Sequence, residues 1–307
     1  MANNLDNFTP EIWSTALIER IDQVNLAMML CANTDYEGEI RRAGDTVQVR
    51  TTGDVTMRPY GRGGSVTYED LTPTKETMVI DQSHYFAFAV DDLDVAQNDI
   101  DAARAYTARA GVSVANHLDD YVFSFYSQAL SANQVSNGGS AIDITASSAG
   151  STHVVDLLLE AQENLDDQNV PADGRWIVVS PYYKKLLMKD TVYFINGSTL
   201  GDHVLTTARF MGASMTARDA LGRGFVGQAC GFDVYTSTNL PTSGSGRYCP
   251  YGQGRPISFA AQIQPGTMEA LRLESTFGTA VRGLLLYGGE VFNEHAKRLG
   301  YIFVDNS

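Results

Sequence analysis

The amino-acid sequence predicts a mixed α+β fold, and three patterns lead to this prediction. Residues 37 to 90 contain runs in which apolar and polar side chains alternate, which is the period of a β-strand. Residues 91 to 130 place apolar side chains three or four positions apart, which is the spacing of one long helix. Residues 152 to 187 switch between helical and strand patterns, as compact α/β domains do.

The first 36 residues are predicted to form an N-terminal arm. Thr9 is placed to cap a helix whose first turn contains Pro10. Apolar side chains then recur at helical spacing from Ile12 to Val24. An arm of this size has too few neighbours of its own to fold alone, so we expect it to lie on a larger surface.

Residues 37 to 90 are predicted to form a long β-hairpin with a glycine-rich tip and a return strand. Strand-like alternation covers residues 46–51 and recurs at 66–68, with the turn-forming stretch 58–64 between them, and a third run spans 77–90. A two-stranded hairpin is marginally stable in water, so we expect this one to rest on another subunit. Five arginines fall in this segment: Arg41, Arg42, Arg50, Arg58 and Arg62.

The run from residue 91 to 130 predicts an unusually long helix. Asp91, Asp92 and Asp94 lie where a cap and an acidic first turn belong. Roughly 38 residues at about 1.5 Å each would extend about 57 Å, so we expect an architectural strut. His117 lies on its apolar stripe, where a hydrogen-bonded core or interface role is expected rather than metal binding.

The second half predicts an α/β domain followed by a β-rich block. A helix is predicted over 152–168, a buried strand over 176–179, and a short helix after Ser180. The glycine-rich stretch 197–224 has no strong period. It contains three arginines: Arg209, Arg218 and Arg223. Strands are predicted within 225–236, 257–263, 268–275, 281–287 and 301–304.

Composition excludes several classes of protein. The 307 residues carry a formal net charge of −14, which argues against a protein whose main task is to grip nucleic acid. No apolar run reaches the roughly 20 residues that span a bilayer, so no membrane association is expected. Three cysteines are too few for a disulfide framework or zinc cage. The start does not resemble a signal peptide, so a cytoplasmic origin is expected.

No catalytic motif is supported by its context. The five histidines do not have the spacing of a metal site. The GxGxxG match at 222–227 precedes a strand instead of following one, which is the reverse of a dinucleotide site. Acidic pairs such as Asp119 and Asp120 suit helix capping and solvated faces as well as acid–base chemistry. We therefore expect no cofactor, no bound metal and no enzymatic activity.

The order of arm, hairpin, long helix, α/β domain and β-rich block resembles the HK97-type major capsid protein of tailed bacteriophages. Three stretches carry the resemblance: 170–181 (VPADGRWIVVSP), 227–235 (GQACGFDVY) with the following NLP, and 274–284 (ESTFGTAVRGL). The resemblance implies an N-terminal arm over 1–36 and an extended loop over 37–90. It also implies a peripheral domain over 91–135 and 255–282, with a spine helix, and an axial domain over 136–254 and 283–307.

The resemblance further implies an icosahedral virion shell of pentamers and hexamers around double-stranded DNA, without specific DNA binding. No scaffold-like segment precedes the arm, so a separate scaffolding protein is expected, together with a portal protein and possibly a decoration protein. Assembly in the host cytoplasm is expected. The contacts between subunits are predicted at Arg41, Arg42, Arg50, Arg58, Tyr60, Arg62, Lys75, Arg209, Arg218 and Arg223.

Alternatives remain at this stage. Some capsid relatives join a loop lysine to an asparagine of a neighbour, and Lys75 with Asn293 is a candidate pair, although Lys75 also suits an ordinary interface charge. Within the fold, an encapsulin-like bacterial nanocompartment shell is the alternative. From another class, the alternative is a soluble two-domain α/β enzyme with a cleft between domains.

Overall fold

The computed structural model describes residues 25–34, 46–51, 55–60, 62–63, 65, 68–69, 74–91, 102–145, 152–189, 224–262, 269–273 and 277–306. Within this part of the chain, two β-sheets and the helices packed on them share one large apolar core, and a two-stranded ribbon extends from the first sheet. No helix in it is both long and apolar enough to cross a membrane.

The first sheet is organised around the long strand β15 (Gly278–Glu290). Strand β4 (Gln82–Asp91) pairs antiparallel with β15 along one side. Strands β14 (Glu269–Arg272) and β13 (Ile257–Gln262) pair antiparallel with the other side. The short strand β1 (Ala32–Asn33) adds to β13 in parallel. Segments from the start, middle and end of the chain therefore meet in one sheet.

Helix α2 (Ala102–Ser124) covers one face of this sheet, as its apolar stripe predicts. The ring of Tyr121 packs at 4.7 Å from that of Tyr287 on β15. The prediction of a helix as far as residue 130 is wrong. At the other end, Asp91 is the last residue of β4 and pairs with Gly278, while Asp92 and Asp94 lie outside the described residues. The α-helix ends at Ser124, and a 3₁₀ turn follows, whose Tyr126 stacks on Tyr248 of the second sheet.

Helix α1 (Leu26–Leu30) packs against α2. Its N-cap is Asn25, whose side-chain oxygen accepts a hydrogen bond from the backbone N–H of Met28 at 2.9 Å. The helix predicted between Pro10 and Val24 lies outside the described residues. The described end of the arm is therefore held against the long helix.

The ribbon consists of β2 (Thr46–Thr51) and β3 (Thr74–Val79) in antiparallel register. The prediction of a strand around Val66–Tyr68 is wrong at Tyr68, which belongs to no strand. The third alternating run divides at Ile80, which is buried with Met78 and separates β3 from β4. Its first part completes the ribbon and its second part joins the first sheet. The second strand of the hairpin therefore begins later in the sequence than predicted, at Thr74, and Tyr68 belongs to the segment that connects the two strands.

The second sheet consists of seven described strands: β5 (Gln134–Val135), β8 (Arg175–Val179), β9 (Phe225–Ala229), β10 (Phe232–Thr236), β11 (Thr242–Ser243), β12 (Gly246–Gln253) and β16 (Leu299–Asp305). Their order in the sheet is β5-β16-β12-β8-β10-β9, and β11 pairs with β12. The short strands β6 (Ile144–Thr145) and β7 (Thr152–His153) pair in parallel beside it. This mixed sheet, with both parallel and antiparallel pairs, forms the predicted α/β domain.

The described residues of this half of the chain contain three more helices: α3 (Val154–Asp167), α4 (Pro181–Lys189) and α5 (Asn293–Ala296). The buried hydroxyl of Tyr183 on α4 donates a 2.6 Å hydrogen bond to the carbonyl oxygen of Val154 and so fixes α4 beside α3. The hydroxyl of Ser180 accepts from the N–H of Tyr183 at 3.1 Å, which confirms Ser180 as a helix cap. Helices α3 and α4 and strand β8 confirm their sequence predictions.

Candidate subunit-contact surfaces

The loop at the end of the ribbon exposes an unusual set of apolar side chains. Met57 is 93% exposed, and Tyr68 is 90% exposed. Val55 and Tyr60 are 68% and 69% exposed. Side chains of this kind normally lose most of their exposure when a protein folds, so a cluster of them indicates a surface that another molecule covers.

An ion pair braces this loop across its width. The guanidinium of Arg58 contacts the carboxylate of Glu69 at 2.7 Å, and the backbone N–H of Thr56 donates to the other oxygen of Glu69 at 3.1 Å. These hydrogen bonds lower the pKa of Glu69 below its usual value. Glu69 was missed at the sequence level, because only its pairing across the loop distinguishes it from other surface glutamates.

The described positions among the predicted contact residues lie on the ribbon and its loop. Arg50 of β2 pairs in register with Lys75 of β3, and the side chains of Lys75, Arg62 and Tyr60 are exposed. Five of the predicted contact residues lie outside the described part of the chain: Arg41, Arg42, Arg209, Arg218 and Arg223. The contact roles of all ten stay predictions.

A carboxylate at the base of the ribbon ties it to α5. Glu76 of β3 accepts the backbone N–H of Asn293 at 2.9 Å and the side-chain amide of Asn293 at 2.7 Å. The asparagine considered as a partner of Lys75 therefore binds the residue next to that lysine in its own chain. Glu76 fixes the angle at which the ribbon leaves the sheet.

Part of the face of the first sheet opposite α2 is a second exposed surface with apolar side chains, whereas Leu286 on the same face is covered by Met78 and Ile80. Tyr85 of β4 is 80% exposed and pairs in register with the exposed Leu284 of β15. Leu271 of β14 is also exposed, opposite Ala280. These residues alternate along their strands with the residues that face α2, so they lie on the outer side of the sheet.

The face toward α2 contains a polar cluster within apolar surroundings. The hydroxyl oxygen of Tyr287 lies 2.8 Å from Nε2 of His117 and 2.8 Å from Nδ1 of His84. Burial, with repulsion from His84, lowers the pKa of His117. The expectation that His117 is a hydrogen-bonded core residue is confirmed.

Asp119 joins the long helix to α1. Its two carboxylate oxygens accept the backbone N–H groups of Ala27 at 2.9 Å and Leu26 at 3.3 Å. Its burial raises its pKa to about 7, although these two hydrogen bonds act in the opposite direction. The capping role considered for this acidic pair is correct for Asp119, but the capped helix is α1. In the described part of the chain, no group of three or more His, Cys, Asp or Glu side chains could hold a metal ion.

An arm segment on a long helix, a projecting ribbon and two sheets define the HK97-type class of shell proteins. A chain in a solved structure of Mycobacterium phage Che8 is similar at 24% identity and a TM-score of 0.67, covering 91% of this chain and 90% of that chain. The capsid of Ralstonia phage GP4 is similar at 12% identity and a TM-score of 0.63, covering 92% and 88%. At these identities the likeness establishes the fold.

The sequence itself places the chain within this class. A family model described as phage capsid protein matches residues 74–296, and the chain belongs to this family. It is a structural protein of the virion, a major capsid protein that forms the phage head. The SrpI encapsulin of Synechococcus elongatus PCC 7942 is also similar, at 12% identity and a TM-score of 0.54, covering 100% of this chain and 92% of that chain. No curated protein sequence matches the chain.

Proposed function

We propose that the head shell is held together by the ribbon of each subunit, whose loop lies on the outer face of the first sheet of a neighbouring subunit. The observation that carries this proposal is the exposure of Met57 and Tyr68, at 93% and 90%. An apolar loop of one copy and the apolar outer face around Tyr85 of the next would bury each other, which releases water from both.

The charged residues of the ribbon would set the register of this contact. Arg50, Arg62 and Lys75 lie along the ribbon, and Arg58 is already oriented by Glu69. Charged groups at the rim of an interface select the partner and its orientation more than they add affinity. We propose further contacts at Tyr60, at Arg41 and Arg42, which precede β2 in the sequence, and at Arg209, Arg218 and Arg223 in the second half of the chain.

We assign the arm to residues 1–36, the extended loop to 37–90, the peripheral domain to 91–135 and 255–282, and the axial domain to 136–254 and 283–307. Pentamers and hexamers would form around the axial domains. A separate scaffolding protein would guide assembly in the host cytoplasm. A portal protein would complete the particle, and a decoration protein is proposed as an optional further component. The net charge of −14 suits a wall that encloses double-stranded DNA without adhering to it.

The experiment replaces the exposed loop residues and counts closed shells. The chain is expressed with its candidate scaffolding protein, and particles are counted by negative-stain electron microscopy. A Met57→Ser and Tyr68→Ser double variant is expected to lower the yield of shells by at least about tenfold, because the loop no longer excludes water. Tyr85→Ser is expected to act in the same direction.

Ser65→Ala is the matched control, since Ser65 is an exposed residue of the same loop. It should assemble like the unaltered chain. The thermal midpoint of each unassembled subunit should stay within about 2 °C of the unaltered chain, because the replaced side chains are exposed. Shells formed at full yield by the double variant would contradict this role of the loop.

A further inference from the structure

Helix α4 presents a basic face to solvent. Three of the five lysines of the whole chain, Lys184, Lys185 and Lys189, lie on this nine-residue helix, which contains no acidic residue. Lys185 and Lys189 are exposed, and Met188 between them is 61% exposed. None of the three lysines forms an ion pair with another described residue. The outward face of α4 is therefore an apolar side chain flanked by positive charges.

Helix α3 presents the opposite charge. Asp156, Glu160, Glu163 and Asp167 are spaced by four, three and four residues, so they form one stripe on an exposed helix face about 16 Å long. Leu159, beside this stripe, is 45% exposed. Helix α3 contains no basic residue. Burial and the nearby carboxylate of Glu163 raise the pKa of Glu160, as expected for two carboxylates three residues apart on one helix.

The two faces are complementary. One is acidic and the other is basic, and each has one exposed apolar side chain beside its charged side chains. They do not pair with each other in the same molecule. The hydrogen bond from Tyr183 to the carbonyl oxygen of Val154 fixes the two helices side by side, and no ion pair joins them in the described part of the chain. Lys185 and Lys189 on one face, and Glu160 and Glu163 on the other, are therefore exposed to a neighbouring molecule.

We propose that the basic face of α4 in one subunit docks on the acidic face of α3 in the next subunit of the same ring. This inference rests on the proposed shell function. A contact between two different surfaces of identical chains closes into a ring when the rotation between copies is a fraction of a turn. Lys185 and Lys189 would pair with Glu160 and Glu163, and Met188 and Leu159 would exclude water between them.

Packaged DNA is the other anion that could meet α4, but a second copy of this chain is the better fit. The exposed Met188 suits a protein surface with its own apolar side chain, such as Leu159 of α3, better than a phosphate backbone.

A charge exchange tests this contact. Lys185→Glu with Lys189→Glu, and separately Glu160→Lys with Glu163→Lys, are expected to lower the yield of closed shells by at least about tenfold, since each places like charges opposite each other. The four substitutions together restore opposite charges and are expected to return the yield to within about threefold of the unaltered chain. Lys297→Glu is the control, because it reverses an exposed lysine on another part of the surface.

Circular dichroism of each unassembled variant checks that it is folded. Full yield from either charge-reversed variant would overturn the proposed contact. So would a folded variant with all four substitutions that does not restore assembly. Normal shells that retain less DNA when α4 is reversed would assign the basic face to DNA instead. If the unaltered chain forms no shells with its scaffolding protein, the shell-forming role itself fails, and this contact with it.

Discussion

The Nε2 atom of His117 lies 2.8 Å from the hydroxyl oxygen of Tyr287, at the centre of the first sheet. The same oxygen lies 2.8 Å from Nδ1 of His84, and the two imidazole rings are 4.3 Å apart. A hydroxyl has one proton, so it donates to one imidazole and accepts an N–H from the other. This arrangement requires at least one unprotonated imidazole, and it joins the long helix to the strand that continues from the ribbon.

Acid is therefore expected to weaken this junction. Burial and repulsion from His84 lower the pKa of His117, so the folded chain holds this proton less tightly than the unfolded chain. The stabilisation is complete above the ordinary histidine pKa of 6.5 and is lost as the pH falls from that value through the lower pKa of the folded chain. His117→Gln keeps a donor for the tyrosine oxygen but cannot titrate. Its thermal midpoint should fall less than that of the unaltered chain between about pH 7.5 and about pH 5.

The comparison is made as a difference between two chains, because other groups titrate in this range. Asp120 interacts with the charge of His117, so the difference between the profiles includes the effect of that histidine on Asp120. Tyr287→Phe leaves both imidazoles in place and should keep the steeper profile. Identical profiles for His117→Gln and the unaltered chain would contradict a role for this histidine.

Asp119 is expected to act in the opposite direction. Its folded pKa of about 7 lies above the usual value of 3.8, so the folded chain binds the proton more tightly than the unfolded chain. Unfolding free energy should therefore decrease as the pH rises from about 4 to about 7, by at most about 4 kcal/mol. Asp119→Asn, which keeps one acceptor for the N–H of Ala27 or Leu26, should lack this decrease.

Chemical denaturation at several pH values measures this difference. Asp167→Asn is the control, because it makes the same change of charge at an exposed helix end. Asp119→Leu should be less stable than Asp119→Asn at every pH, since two buried N–H groups lose their acceptor at a cost of about 1 to 3 kcal/mol each. A pH profile of Asp119→Asn that parallels the unaltered chain would mean that the pKa of Asp119 is the same in the folded and the unfolded chain.

The sequence predicted those elements that have a local signature. Helix α3 has a regular apolar stripe, β8 is a short apolar run after a turn, and α4 begins at a serine–proline cap. In each case the residues that determine the element lie within it. The family resemblance extended these local patterns to the correct fold class, because the order of elements is itself specific.

Features that depend on distant pairing were not predictable in this way. Asp91 reads as a helix cap until its pairing with Gly278 is known, and residues 77–90 read as one strand until Ile80 is seen to be buried at the corner. The partners of Asp119 lie 92 and 93 residues away, and Tyr287 lies 170 residues from His117. His84 lies on the inner side of β4 and contacts Tyr287, but no sequence pattern indicated this contact.

Tyr183→Phe is expected to loosen α4 from α3. The hydroxyl of Tyr183 is fully buried and donates to the carbonyl oxygen of Val154 at 2.6 Å. Removing it should lower the free energy of unfolding by about 1 kcal/mol, the net contribution of a typical internal hydrogen bond. Urea denaturation measures the change, and Tyr182→Phe on the half-exposed position beside it is the control. A loss no larger than that of the control would show that packing alone holds the two helices together.

Gly288→Ala is expected to disturb the base of the ribbon. A β-carbon at Gly288 would clash with the carbonyl oxygen of Val79 and lie 2.8 Å from the α-carbon of Ile80, so the backbone at the corner between β3 and β4 would have to move. Overpacking of this kind costs about 3 kcal/mol.

Gly139→Ala is the control. Its φ of 87° makes alanine unfavourable, but nothing lies within 4 Å of the added methyl group, so a loss of about 1 kcal/mol in unfolding free energy is expected. Because the ribbon would also leave the sheet at a different angle, shells should be fewer for Gly288→Ala than for Gly139→Ala. Equal stability and equal shell yield for the two variants would mean that the corner between β3 and β4 accommodates a methyl group without any change in the position of the ribbon.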